Sequence, residues 1–181
     1  MAENIVRFTK EDRSSFSYWF AHWCAFNMTA LNLKCWKPKY LLHDIEKPWF
    51  KLFLDYSKVQ TWHREHNKHH MLYPIIHGKD TGDWEAMIVD WECSHFTKQA
   101  AQLNAADEYK RMFDEFELFI ERYITSNNKT CEYIVEHDLD TNYCATIFKN
   151  AYDNLHIVFN RLGIKHNYRI DYLDKFFNKN C

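Results

Sequence analysis

The chain has 181 residues, 46% of them hydrophobic and 18% aromatic, with a formal charge of −2 and a pI near 6.6. That length fits one domain with a core of its own, and the composition excludes a chain disordered throughout. The charge excludes a basic surface built for a nucleic-acid backbone, so no nucleic-acid partner is expected.

Gly and Pro are scarce, at three each, whereas sheet proteins punctuate their strands with such turn residues. With long stretches of helical spacing, this predicts an all-α protein. We read one helical domain over 1–181, a site-bearing core at about 16–95 and C-terminal helices at about 105–177 packed on it. No apolar run approaches the ~20 residues of a membrane span. Met1-Ala2-Glu3-Asn4 lacks the basic and apolar regions of a signal peptide. The six cysteines (Cys24, Cys35, Cys93, Cys131, Cys144 and Cys181) form no C-x-x-C pair. These features predict reduced thiols in a cytoplasmic protein without membrane association.

In chain order, a first helix runs from about Glu11 to Leu33. Tyr18, His22, Phe26 and Thr29 share one stripe of it, so His22 points inward among aromatic neighbours. Pro38 opens a second helix that ends near Asp44. Pro48 then restarts the chain, because the residue before a proline avoids the helical region, and this puts His43-Asp44 at a helix end. A third helix at about Pro48–Ser57 leads into a helical segment, Thr61–Met71, that carries four histidines. Leu72–Gly82, with Pro74, Gly78 and Gly82, reads as a loop. Asp83 caps a helix through Trp84, Met87, Ile88, Trp91 and His95. Further helices are predicted at about Ala105–Ile124, Thr130–His137, Asn142–Leu162 and Tyr168–Phe177. A break falls at Ser126-Asn127-Asn128, a stop at Gly163, and a frayed tail at Asn178-Lys179-Asn180. The total is about seven or eight helices, with the tryptophans in core packing.

Several polar residues fall in these apolar faces, and all are of metal-ligand type: His22, His43-Asp44, the run from His63 to His70, and Asp90. An unpaired carboxylate inside an apolar stripe is costly, which marks Asp90. Imidazole and carboxylate together suit a divalent transition metal (Mn, Fe, Co, Ni or Zn). Such ligands converge from separate helices, since one helix face offers neighbours only at i+3, i+4 and i+7. His66 shares a face with His69 and His70, and His63 extends it. All four histidines of the run cannot face one site, so at least one is exposed or supports a ligand from behind. A second dipeptide, His137-Asp138, lacks the apolar lead-in and reads as a surface or cap pair.

The order His, His-Asp, Asp resembles the HD-domain superfamily of metal-dependent phosphohydrolases. The text Leu41-Leu42-His43-Asp44-Ile45-Glu46-Lys47 is similar to its signature, with His22 placed like its first histidine and Asp90 like its last aspartate. His66-Asn67-x-His69-His70 and Asp90-Trp91 are similar to a narrower group of short bacterial and phage proteins. The chain departs from that group at Ala86, where the group carries a glutamate, which leaves the adjacent Glu85 without an inherited role. The resemblance covers about Phe16 to His95.

It implies an HD-like helical bundle that holds one or two divalent metal ions through His22, His43, Asp44, His66, His69, His70 and Asp90. The implied activity is hydrolysis of a small phosphate ester, such as a nucleotide, by a metal-activated water. Asp44, His66 and Lys47 are the candidate catalytic residues, Asp44 as a bridge if there are two ions. Lys47, Lys68 and Arg64 are candidates for contact with phosphate. Two other readings stand beside this one: an inert HD-like scaffold that binds a nucleotide or a protein, and a di-iron oxygenase on the same cage. Oligomer formation is left open.

Overall fold

Helices carry the chain throughout the computed structural model, which describes residues 7–98, 104–122, 128–166 and 168–179. A 3-10 turn at Glu11–Ser14 leads into α1 (Phe16–Asn32), where the Ser15 hydroxyl accepts the Tyr18 N–H at 3.1 Å. Pro38 opens a second 3-10 turn, Pro38–Leu42. Then follow α2 (Glu46–Phe50), α3 (Tyr56–His66), α4 (Leu72–His77), a 3-10 turn at Lys79–Thr81 and α5 (Trp84–Thr97), whose cap Asp83 accepts the Ala86 N–H. The C-terminal part holds α6 (Ala105–Arg122), α7 (Lys129–Glu136), α8 (Thr141–Leu162) and α9 (Asp171–Lys179). Gly163, with φ 70°, ends α8 in the left-handed conformation that glycine adopts without strain. Among the described residues there is no strand, only an isolated bridge between Phe8 and Lys98. No described helix is long and apolar enough to cross a membrane.

Three expected boundaries move. Helix α2 starts at Glu46, with Pro48 as its third residue, where a missing N–H costs nothing because first-turn donors have no intrahelical partner. The expected helix at Thr61–Met71 instead ends at His66. Asn67 turns extended (φ −106°, ψ 124°) and its side chain donates to Glu46 Oε1 at 3.0 Å, so His69 and His70 stand on a turn. The expected loop at Leu72–Gly82 contains α4, which tolerates Pro74 in its first turn and stops at Gly78, φ 106°. The expected break at Ser126-Asn127, the end of the helix predicted to Ile124, and Asn180 and Cys181 lie outside the described residues.

Two apolar clusters meet on α5. One packs Met87 and Ile88 against the rings of Tyr109, Phe113, Phe116, Phe148 and Phe159, with Phe116 and Phe148 stacked at 3.6 Å. The other packs Ala86, Val89 and Cys93 against Phe26, Ala30 and Tyr40. A helix buried on nearly all sides serves as a fixed wall, and α1 packs along it more extensively than any other pair of elements packs together. Fully buried side chains of this size stabilise by roughly 1.5–3 kcal/mol each. Glu85 ties the halves together: its carboxylate accepts the Tyr40 hydroxyl at 2.7 Å and pairs with Lys37 and with Arg161 of α8. The expectation of tryptophans in the core holds for Trp84, whereas Trp49 lies mostly exposed.

Candidate metal centre

His22 stands in the middle of α1 and is buried, as its place in the apolar stripe requires. Its Nε2 lies 2.9 Å from Asp90 Oδ1 on α5, and its Nδ1 lies 3.4 Å from the Thr97 hydroxyl of the same helix. His43 ends the second 3-10 turn and stacks on Phe26 at 3.6 Å, which fixes its ring; its Nε2 is 3.4 Å from His22 Nε2 and 3.6 Å from Asp90 Oδ1. Asp44 follows with φ 59°, a left-handed conformation that aspartate tolerates better than most residues. The Trp19 indole N–H (2.8 Å) and the Lys47 backbone N–H (3.1 Å) both donate to the Asp44 carbonyl and lock that turn.

The other half of the centre comes from α3 and the turn behind it. His63 is 1% exposed, with Nε2 3.2 Å from Asp44 Oδ1 and Nδ1 against the Glu46 carboxylate. Asn67 donates to the same Glu46 oxygen, so two residues orient the His63 ring from behind. His69 Nε2 lies 3.5 Å from Asp44 Oδ1, and His70 Nε2 lies 2.7 Å from His63 Nε2.

Spacings of this size are compatible with a metal's ligands. Donors held ~2.1 Å from one ion stand about 3.0 Å apart at right angles and about 3.4 Å apart at tetrahedral angles. The donor atoms of His22, His43 and Asp90 lie within 4.8 Å of one another, as do those of His63, His69 and His70. Asp44 joins both sets, grouping with His43 and His69 and with Glu46 and His63. Asp44 Oδ1 and His69 Nε2 are buried yet meet no partner with hydrogen-bond geometry. Buried polar atoms are nearly always satisfied, so these two orphaned atoms amid other donors suit a shared point of coordination. The buried His and Asp groups could therefore hold a metal ion.

The electrostatics suit that use. Burial pushes His43 down to about 4 against the pull of Asp44 and Asp90, and pushes His63 and His70 well below the usual histidine range. Burial opposes ionisation of Asp44 and Asp90, but the surrounding histidines and Lys47 (for Asp44) outweigh it and hold both well below the usual carboxylate range. Lys47, whose ammonium meets Asp44 Oδ2 at 2.5 Å, is disfavoured as a cation by burial and favoured more strongly by Asp44, so it titrates above a free lysine. Near neutral pH these three imidazoles keep a free lone pair and the carboxylates are ionised, the forms that bind metal.

Two expected outcomes follow. In the metal-free protein, His43, His63 and His70 resist protonation, while the same residues in the unfolded chain take protons near pH ~6.5. Their folded pKa values are depressed, so acid favours unfolding. Stability should fall as pH drops through ~6.5, by up to about 1.4 kcal/mol per pH unit for each histidine. For His43 the fall continues to about pH 4. Urea midpoints measured with chelator from pH 7.5 to 4.5 check this, and a flat or rising profile contradicts it. Glu46→Gln should lower affinity for the ion held by His63 by about 10–100-fold, because a carboxylate behind a histidine fixes its tautomer and basicity. Chelator competition measures that loss.

Of the residues singled out in the sequence, the structure brings together His22, His43, Asp44, His69, His70 and Asp90. It does not bring His66. That side chain is exposed, stacks on Trp62 and hydrogen-bonds the Trp62 carbonyl through Nδ1 at 2.9 Å. The reason is helical phase: α3 ends at His66, and His63, three residues earlier, is the one that faces the centre. Lys47 lies on Asp44 itself. Lys68 is exposed, and Arg64 is half-buried beside His69 and His70. His137 is exposed and bonds the Tyr133 carbonyl, so His137-Asp138 is the surface pair it resembles. Sequence reasoning missed Glu46, Asn67 and Thr97. The first two flank the histidine run and the His-Asp pair, but only the long-range fold brings them behind His63.

The centre opens on three sides. A cleft of about 290 Å³ reaches His22, Asp44 and Lys47, with Arg13 and Lys51 on its wall. A cavity of about 210 Å³ reaches His69 and His70 past Arg64, Arg111 and Glu108, and one of about 250 Å³ reaches His43 and His69 past Lys39, His66 and Lys68. Comparison with protein-family models, with curated proteins and with solved structures finds no match to this chain.

Proposed function

We propose that the chain is a metal-dependent phosphohydrolase acting on a small phosphate ester, on an HD-like helical scaffold. The observation that carries this reading is one carboxylate, Asp44, placed between two sets of converging donors at the floor of a cleft walled by cations. His22, His43, Asp44 and Asp90 would hold one divalent ion, and Asp44, His63, His69 and His70 a second. A divalent ion bound there would lower the pKa of a water and offset charge developing on phosphate.

The chain's own residues do the rest. Among the described residues Asp44 carries the only carboxylate in the cleft's lining, and Lys47 already sits on it, so an incoming anion meets Arg13, Lys47 and Lys51 rather than repulsion. Arg13 Nε is buried without a hydrogen-bond partner and is free to donate to a phosphate oxygen. In the reaction water oxygen bonds to phosphorus, the P–O ester bond breaks, and the leaving oxygen takes a proton, giving an alcohol and inorganic phosphate.

Purified protein should carry divalent metal and release phosphate from phosphomonoesters with added Mn, Co or Ni. Chelator should abolish the release and metal should restore it. Metal-loaded protein that releases no phosphate from any ester contradicts the reading. Nucleotide binding without turnover would instead support a scaffold, and an iron-dependent colour with oxygen uptake a di-iron oxygenase.

A further inference from the structure

We infer that the Asp44 cleft selects phosphomonoesters whose organic part is small and apolar, an aryl or short alkyl group, over nucleotides. This rests on the reading of the centre as one that takes phosphate esters, and it comes from the apolar wall that lies beside the cations in the cleft's lining. Phe16, Trp19, Pro48, Leu52 and Tyr56 form that wall.

Several polar groups of the cleft are committed elsewhere. The Trp19 indole N–H is spent on the Asp44 carbonyl, the Ser15 hydroxyl caps α1, Lys51 bonds the Ser14 carbonyl, and Asp44 faces Lys47. Among the described residues no side-chain amide lines the cleft, and no carboxylate besides Asp44. A nucleobase edge or a ribose diol bound there would lose water and gain too few partners, which a polar ligand pays for in affinity. An apolar group loses nothing of the kind. Size points the same way, because about 290 Å³ is at the small end of ligand cavities, which run from roughly 300 to 1,000 Å³.

The apolar wall also continues out of the cleft. Phe16 is 64% exposed and Leu52 67%, with Phe20 one turn beyond Phe16 on α1 and exposed as well. Large exposed apolar side chains grouped at a cavity mouth mark a surface that meets an apolar ligand. Cations at the cleft and rings at its rim match the two ends of such an ester.

The test is calorimetric binding to Mn-loaded protein of three probes: methylphosphonate, hexylphosphonate and adenosine 5′-monophosphate. Hexylphosphonate should bind at least ~10-fold more tightly than methylphosphonate, from burial of its chain, and more tightly than the nucleotide. In the double variant Phe16→Ser, Leu52→Ser, both at exposed positions, the hexyl-to-methyl ratio should collapse. Equal affinities, a preference for the nucleotide, or a ratio unchanged in the variant overturns the inference. Release of phosphate from hexyl phosphate is measured separately. Preferential hexylphosphonate binding without phosphate release overturns the hydrolase reading alone, and failure of every probe to bind overturns both.

Discussion

Asp44→Asn is expected to strip the centre of bound metal and abolish turnover while the helices remain folded. Asparagine is the substitution that isolates charge, since it too tolerates the left-handed φ of 59° and keeps its carbonyl for Trp19 and Lys47. What it loses is the one carboxylate that both donor sets share. Affinity should therefore fall by more than the ~10–100-fold that follows loss of a residue behind a ligand. The variant also leaves the Lys47 ammonium without its partner. Breaking a fully buried pair costs ~3–5 kcal/mol, but Lys47 is 19% exposed at the cleft and can turn toward water, so the metal-free variant should lose less than that. Elemental analysis gives metal per chain and circular dichroism gives the fold. A folded variant with unchanged metal content contradicts the role assigned to Asp44.

The second large effect is a contrast between two histidines of one helix. On the proposed two-ion reading, His63→Ala should remove the ion that would bind with His69 and His70, leaving about one metal per chain in place of about two. It also strands the Glu46 carboxylate and Asn67 without the ring they orient. His66→Ala should leave metal content unchanged and stability within about 0.5 kcal/mol, as expected for a surface substitution. Both variants are read by metal content and thermal unfolding. Equal effects, or a larger effect at His66, would contradict the helical phase described for α3.

That contrast shows what the sequence could and could not reveal. His22 and Asp90 were legible because each sits in an apolar stripe of an unbroken helix, where a 3.6-residue period says which side chains turn inward. The cap at Asp83 and the stop at Gly163 were legible from local chemistry alone. Within 63–70 the period misleads, because α3 ends at His66 rather than running on to Met71. The ending is set by Asn67 reaching Glu46, twenty-one residues away in sequence, and no local pattern carries that contact. Pro48 misled in a similar way, as it marks the interior of a first turn and not a boundary. Trp49 reads as a core residue with the other tryptophans, and only the packed structure leaves it exposed.

The C-terminal half, whose described residues include none of the candidate ligands, has a physical role in this arrangement. Its aromatic cluster backs α5, and Arg161 of α8 reaches Glu85 on the same helix. Asp90 is thereby held on a wall packed from both sides, and the ligand spacing of the centre inherits that rigidity.

Anomalous diffraction from crystals grown with Mn tests the metal centre most directly. Two peaks are expected on either side of the Asp44 carboxylate, one bounded by His22, His43 and Asp90 and the other by His63, His69 and His70, each ~2.0–2.2 Å from its donors. The absence of any peak within coordination distance of Asp44, or a peak held by His66 in place of His63, would contradict it.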